Sequence, residues 1–120
     1  MLRVKKIPEV LRTMLSDGIS GACLMTLDGS LLSAVFAENC KMTETLLAAV
    51  TSGIWNSYSQ GNAEITFHIM KLDNGVVGVT TAGTGYLVAL YGNEVSSMGM
   101  LRGRLISLSS YFATVFEQLK

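Results

Sequence analysis

Charged residues are scarce in this 120-residue chain. They make up 15% of it, and nine basic residues balance nine acidic ones, so the formal net charge at pH 7 is zero. Soluble proteins usually carry about a quarter of charged residues, and a neutral chain gains little affinity from neutralising phosphates. This composition excludes a general nucleic-acid binder. Because 49% of the residues are hydrophobic, it also excludes a disordered chain and predicts that a partner covers apolar surface beyond the core.

Cysteine and proline are nearly absent. Cys23 and Cys40 are too few for a disulfide framework and predict reduced thiols in a cytosolic protein. The one proline, Pro8, agrees with a compact domain over residues 1–120 that has no linker. No apolar run approaches the roughly 20 residues of a membrane span, and neither terminus carries a lipidation signal. We therefore expect no direct membrane insertion.

Groups that carry catalysis or bind metals are also rare. His68 is the only histidine, and no nucleophile and base are visible as its companions. Cys23, Cys40 and His68 lack the short spacing of zinc ligands. The Gly83–Tyr86 segment, Gly-Thr-Gly-Tyr, joins two strands and has no following lysine, which favours a plain turn over a phosphate-binding loop. We expect no enzyme activity, no metal and no cofactor.

Hydrophobic periodicity and turn residues predict an α-β-β-α-β-β-β-α order. A short helix covers residues 7–16, and strands at 19–27 and 30–37 flank an Asp28-Gly29 hairpin turn. A middle helix, capped by Asn39, covers 41–59. Strands at 65–72, 76–82 and 86–91 and a final helix from about 93 to 119 follow, with a hairpin at Asp73-Asn74-Gly75. This order indicates an α+β fold in which helices cover a sheet.

The middle helix carries an apolar stripe and a lone tryptophan. The stripe, which we expect to lie on the sheet, consists of Leu46, Leu47, Val50, Ile54 and Tyr58. Trp55 projects about 100° away from Ile54, and its neighbours there are the small residues Ala48, Thr51 and Ser52. A tryptophan among small residues on the outer side is typical of a contact anchor. A position at the rim of the core is the alternative.

The third strand is apolar on both sides. One side carries Ile65, Phe67 and Ile69, and the other carries Thr66, His68, Met70 and Leu72. Because it follows the helical crossover and opens a meander, we expect this strand at a sheet edge. An apolar edge with so little charge favours pairing with another chain. His68 there is more consistent with an edge or interface residue than with a catalytic one.

Short motifs, taken in this order, resemble the roadblock/LC7 superfamily, which has a profilin-like fold, and within it the Ragulator type of subunit. They are Met1-Leu2-Arg3 with Lys5, Asp28-Gly29-Ser30-Leu31-Leu32, Ile54-Trp55 with Tyr58, and Gly99-Met100-Leu101-Arg102 with Leu108 and Tyr111. The resemblance implies a five-stranded antiparallel sheet with one helix on one face and two on the other. It also implies edge-to-edge dimers that pair third strands and place the middle helices side by side. The expected partner interface is then Thr51, Trp55, Tyr58, Ile65, Phe67, His68, Ile69 and Met70.

The same resemblance implies a non-catalytic scaffold and its partners. These are a second roadblock subunit of the MAPK-scaffold type, a lipidated subunit that anchors the pair to the cytoplasmic face of late endosomes and lysosomes, and Rag GTPases in TORC1 signalling. A homodimeric roadblock regulator of another small GTPase, or a dynein light chain, is the alternative, and a small-molecule binder is a third class. The basic N-terminal residues Arg3, Lys5, Lys6 and Arg12 indicate a solvated helix start, or a surface for an acidic partner or anionic membrane.

Overall fold

The computed structural model describes residues 6–16, 18–38, 40, 42–58, 67–72, 75–82, 85–92 and 98–117. The side chains of residues 57, 58, 67, 116 and 117 lie outside this description. The elements are α1 (Lys6–Arg12), β1 (Ile19–Thr26), β2 (Leu31–Phe36), α2 (Glu44–Tyr58), β3 (Phe67–Leu72), β4 (Gly75–Thr81), β5 (Tyr86–Gly92) and α3 (Met98–Glu117). Their order confirms the predicted one.

The five strands form one antiparallel sheet with the order β2-β1-β5-β4-β3. β1 lies between β2 and β5, and β4 lies between β5 and β3. Within the described residues β3 therefore pairs on one side only, with Phe67 opposite Thr80 and Leu72 opposite Gly75. This confirms the prediction that the third strand lies at an edge.

Helices cover both faces of the sheet. α1 and α3 pack on one face, where Leu11, Leu101, Leu105 and Phe112 are fully buried against alternate residues of the strands. α2 covers the other face, where Leu47 and Ile54 pack with Cys23, Val79 and Tyr91. The predicted arrangement, with one helix on one face and two on the other, is confirmed. Successive strand residues point alternately into these two layers.

The structure places α1 and α2 differently from the sequence prediction at one end each. α1 ends at Arg12 rather than at residue 16, because the backbone N–H groups that follow bond carbonyl groups three residues back. In addition, the Arg104 side chain donates hydrogen bonds to the carbonyl oxygens of Met14 and Ser16, at 2.8 and 2.7 Å. α2 begins at Glu44, where Thr43 Oγ1 accepts the Leu46 N–H at 3.2 Å and caps the helix. The predicted cap, Asn39, lies outside the described residues.

The first hairpin also differs from the prediction. Its loop has three residues, Leu27 to Gly29, instead of the two-residue Asp28-Gly29 turn: the Gly29 N–H donates to the Thr26 oxygen at 3.0 Å, and Gly29 has a φ of 93°. This is a common three-residue hairpin, in which a turn is followed by a left-handed glycine. Hydrogen bonds from the Thr26 hydroxyl and the Ser30 N–H hold the Asp28 carboxylate and lower its pKa.

Candidate partner interface

β3 forms one edge of the sheet and β2 forms the other, and the described side chains of β3 alternate as predicted. Met70 and Leu72 pack on the α2 side of the sheet, and Ile69 packs against the α1 and α3 core. His68 also points to the α2 side, where its ring meets Trp55. His68, Ile69 and Met70 are only half-buried, so apolar surface is left at an edge strand that, among the described strands, pairs with β4 alone.

α2 is rotated about its axis relative to the predicted orientation. Leu46 was expected on the sheet, but it is 52% exposed. Thr51 was expected on the outer side and in the partner interface, but it is 0% exposed and is buried inside this chain. Ala48 and Ser52, expected beside it on the outside, are buried as well. The prediction for these residues was wrong.

The rotation has a physical reason in the small residues of the helix. The Thr51 hydroxyl donates to the Leu47 carbonyl at 2.6 Å, so its burial leaves no unsatisfied donor. Ser52 lies so close to the first hairpin that a Cβ added to Gly29 would be 2.9 Å from the Ser52 oxygen. Small inward residues therefore let the helix approach the sheet, and a hydropathy stripe does not detect this.

Trp55 lies at the rim between α2 and β3. Its ring makes an edge-to-face contact with His68, with centroids 5.4 Å apart and an interplanar angle of 79°. It is half-buried against the α2-side core, which agrees with the rim position and leaves part of the ring accessible. Of the other predicted interface residues, Ile65 lies outside the described residues, and for Tyr58 and Phe67 only the backbone is described.

A cavity of about 160 Å³ opens beside this rim. It is lined by Ile54 of α2 and by His68, Ile69 and Met70 of β3. Burial lowers the pKa of His68 below its ordinary value of 6.5. The structure thus brings four predicted residues together at one place: Trp55, His68, Ile69 and Met70.

Sequence reasoning missed the outer surface of α2. Leu46, Ala49 and Gly53 are exposed and recur at helical spacing along it. A Cβ added to Gly53 would meet nothing within 4 Å. We call these three residues the α2 seam. The signal available in the sequence was Gly53 itself, since glycine in a helix interior is unfavourable without a reason for close approach.

The described residues were also compared with the requirements of a metal site and of a membrane-spanning helix. No cluster of three or more histidine, cysteine or acidic side chains within them could hold a metal. No described helix is long and apolar enough to cross a membrane. Lys6 and Arg12 of the predicted basic patch are exposed on α1, whereas Arg3 and Lys5 lie outside the description.

One curated protein resembles this sequence, and several solved structures share its architecture. No family model matches the chain. A Ragulator complex protein LAMTOR2 homolog of Caenorhabditis elegans is 27% identical over 111 residues, which are 92% of this chain and 90% of that protein. A structure of MglB with a tetrameric arrangement superposes with a TM-score of 0.81 at 19% identity, over 96% of this chain and 90% of that one. A roadblock/LC7 domain from Streptomyces avermitilis superposes with a TM-score of 0.74 at 17% identity, over 92% of this chain and 98% of that domain. The chain therefore has the roadblock/LC7 fold and resembles a LAMTOR2 homologue over nearly its whole length.

Proposed function

We propose that this chain is a non-catalytic scaffold subunit of a Ragulator-like complex. It pairs with a second roadblock subunit, and the pair docks Rag GTPases on the late endosomal and lysosomal membrane in support of amino-acid-dependent TORC1 signalling and of MAPK signalling. The observation that carries the proposal is the position of apolar β3 at an edge of the described sheet, beside the α2 seam, in a chain that resembles a LAMTOR2 homologue along 92% of its length.

The geometry supports pairing through β3 and α2 together. Main-chain hydrogen bonds to a second edge strand would extend the sheet beyond β3, and alternate side chains would set partner choice. A partner helix would then lie along the α2 seam, where Ala49 and Gly53 permit close approach. Glu44 is the only charged residue of α2, so little charge would be desolvated. We expect each subunit to bury on the order of 800 Å².

We propose that a lipidated partner attaches this chain to the membrane. No described helix can span a bilayer, and a few basic side chains hold a protein to a membrane only weakly. In cells that lack the lipidated subunit, we expect a tagged copy of this chain to become diffuse. Retention on lysosomes in those cells would contradict this part of the proposal.

A homodimeric roadblock regulator of another small GTPase is the second candidate. It is favoured by the superposition on MglB, whose structure has a tetrameric arrangement. The oligomeric state of the purified chain separates the two candidates. A stable homodimer supports the second one, and a chain that requires a different roadblock subunit supports the first.

The decisive experiment places a charge on each of two matched helical positions. Leu46 on α2 is 52% exposed and Ile106 on α3 is 49% exposed, so glutamate at either position should leave folding intact. Tagged wild type, L46E and I106E are used to recover the co-purifying proteins, which are identified by mass spectrometry. We expect a roadblock subunit and Rag GTPases with wild type and I106E.

L46E should lose the roadblock partner by at least about tenfold, because pairing would bury an unpaired carboxylate. Circular dichroism verifies that both variants are folded. Equal recovery of the partner by folded L46E and by I106E would remove α2 from the interface. Recovery of a roadblock partner without any GTPase would contradict the docking role while leaving the pairing intact.

A further inference from the structure

The edge strand β2 contains a β-bulge. Ser33 lies opposite Leu24 of β1, but the next residue of β1, Met25, lies opposite Leu31. Leu32 is therefore the extra residue of the bulge, and its side chain is 48% exposed. β3, at the other edge of the described sheet, keeps an unshifted register with β4 over six consecutive pairs. The two edges of the sheet thus differ in regularity.

The bulge interrupts the row of backbone groups that β2 turns away from β1. Two hydrogen bonds, one near each end of β2, mark the groups that face β1: they join the Ala37 N–H to the Ser20 oxygen at 2.7 Å and the Thr26 N–H to the Ser30 oxygen at 2.9 Å. Because antiparallel residues alternate between bonded and non-bonded pairs, the outward groups belong to Leu31, Ala34 and Phe36. A regular strand offers its groups at every second residue. It can match Ala34 and Phe36, but it cannot reach Leu31 in the same register.

β2 contains none of the other features that commonly protect an edge strand. Its six residues, Leu-Leu-Ser-Ala-Val-Phe, include no charged residue and no proline, whereas β3 carries Lys71. Natural proteins block edge strands with charges, prolines or bulges, and short, largely apolar segments without charge or proline are those that stack on other strands most readily. On β2 itself this protection rests on the bulge.

We infer that the bulge at Leu32 closes the β2 edge to strand pairing, so that this chain accepts a partner strand at β3 alone and assembly through the sheet stops at two roadblock subunits. The inference rests on the edge-to-edge pairing proposed above and adds the feature that limits it. Pairing through β3 leaves β2 of this chain at an outer end of the extended sheet. If that edge also accepted strands, pairs would join end to end, and contacts of this kind that do not close build open fibres.

The test removes the bulge and keeps the rest of the hairpin. Deletion of Leu32 places Leu31 and Ser33 next to each other, opposite successive residues of β1, so the inward residues keep their partners. Deletion of Leu27 is the matched control, because it shortens the loop to a two-residue Asp28-Gly29 turn and leaves the bulge in place. L32S is the second control, since it keeps the bulge and removes the exposed leucine side chain.

Each protein is purified with the roadblock partner identified by co-purification, or alone where the complex is a homodimer. Sedimentation velocity gives the mass of the complex from low to high micromolar concentration. Hydrogen–deuterium exchange gives the protection of the Ala34 and Phe36 amides, which face outward from β2. Circular dichroism and urea unfolding verify that the variants are folded.

We expect wild type, the Leu27 deletion and L32S to keep the mass of one pair, with Ala34 and Phe36 amides that exchange rapidly. The Leu32 deletion should join two heterodimers through their restored β2 edges and raise the mass about twofold, or link homodimers into longer chains. In both cases the Ala34 and Phe36 amides should become protected, and dilution should reverse the association.

Two results would overturn the inference. The first is a folded Leu32 deletion that keeps the mass of one pair at every concentration. The second is a wild-type pair whose Ala34 and Phe36 amides are already protected, because another segment would then close this edge; this measurement decides even where the deletion variant does not fold. Failure of the pairing proposal differs from both, since wild type would then be a monomer without a partner, and the Leu32 deletion would be judged by whether it turns the monomer into a dimer.

Discussion

Gly53 should affect the folding and the assembly of this chain in opposite directions. It lies in the interior of α2 and is exposed, and a Cβ placed on it meets nothing within 4 Å. In the isolated chain G53A should therefore raise the free energy of unfolding by about 0.5–1 kcal/mol, because alanine restricts the unfolded backbone and glycine does not. In the assembly the added methyl group would meet a partner helix on the α2 seam. Overpacking of a close contact costs about 1–3 kcal/mol, which is roughly a 5- to 150-fold loss of affinity.

The assay measures both quantities on the same protein. Urea unfolding of the isolated chain gives stability, and titration with the roadblock partner gives affinity. G103A is the matched control, since Gly103 is also an exposed helical glycine with open space around it, but it lies on α3. It should gain the same stability and keep full affinity. The reasoning fails if G53A binds its partner as well as G103A does.

Three further predictions concern the interior. R104M should lower the free energy of unfolding by about 1–3 kcal/mol in urea titration, because it removes charged hydrogen bonds from two carbonyl groups just after α1; unchanged stability would show that water replaces the guanidinium. G75A should be worse tolerated than any exposed glycine, since the new Cβ collides with the backbone oxygen of Gly92, and an unaltered melting temperature would disprove the close approach. Burial raises the pKa of Cys23 to about 12, so at pH 7 iodoacetamide should label half-buried Cys40 in the native protein and reach Cys23 only in urea; equal native labelling would contradict this.

The element order was predictable because the local signals are strong. Short apolar runs between turn residues indicated the strands, three of which are buried along most of their length, and the spacing of Leu101, Leu105, Leu108 and Phe112 defined the buried face of α3. The position of β3 at an edge also followed, since a crossover helix separates it from the first hairpin. The loop of that hairpin was harder, because Asp28-Gly29 suits a two-residue turn as well as the observed three-residue loop.

The orientation of α2 was not predictable from hydropathy. Leucine at residue 46 looked more inward than threonine at residue 51, yet the first is exposed and the second is buried. Burying a threonine costs little free energy when its hydroxyl donates a hydrogen bond to the preceding turn of its own helix, as Thr51 does here to the Leu47 carbonyl. Whether a helix uses this option depends on the shape of the sheet under it, which a hydrophobic stripe does not encode.

The small inward face of α2 accounts for the candidate interface as a whole. Because Ala48, Thr51 and Ser52 let the helix lie close to the sheet, a wide side chain fits only at the margin of the helix, and Trp55 occupies that place against His68. The same rotation of α2 about its axis turns Leu46 outward onto the α2 seam. W55A would therefore remove a contact inside the chain as well as any contact with a partner, and its effect on affinity alone cannot measure an interface. Leu46 is exposed, so L46E changes the partner surface with less disturbance of the core. L46E is therefore the better substitution for deciding whether α2 takes part in the assembly.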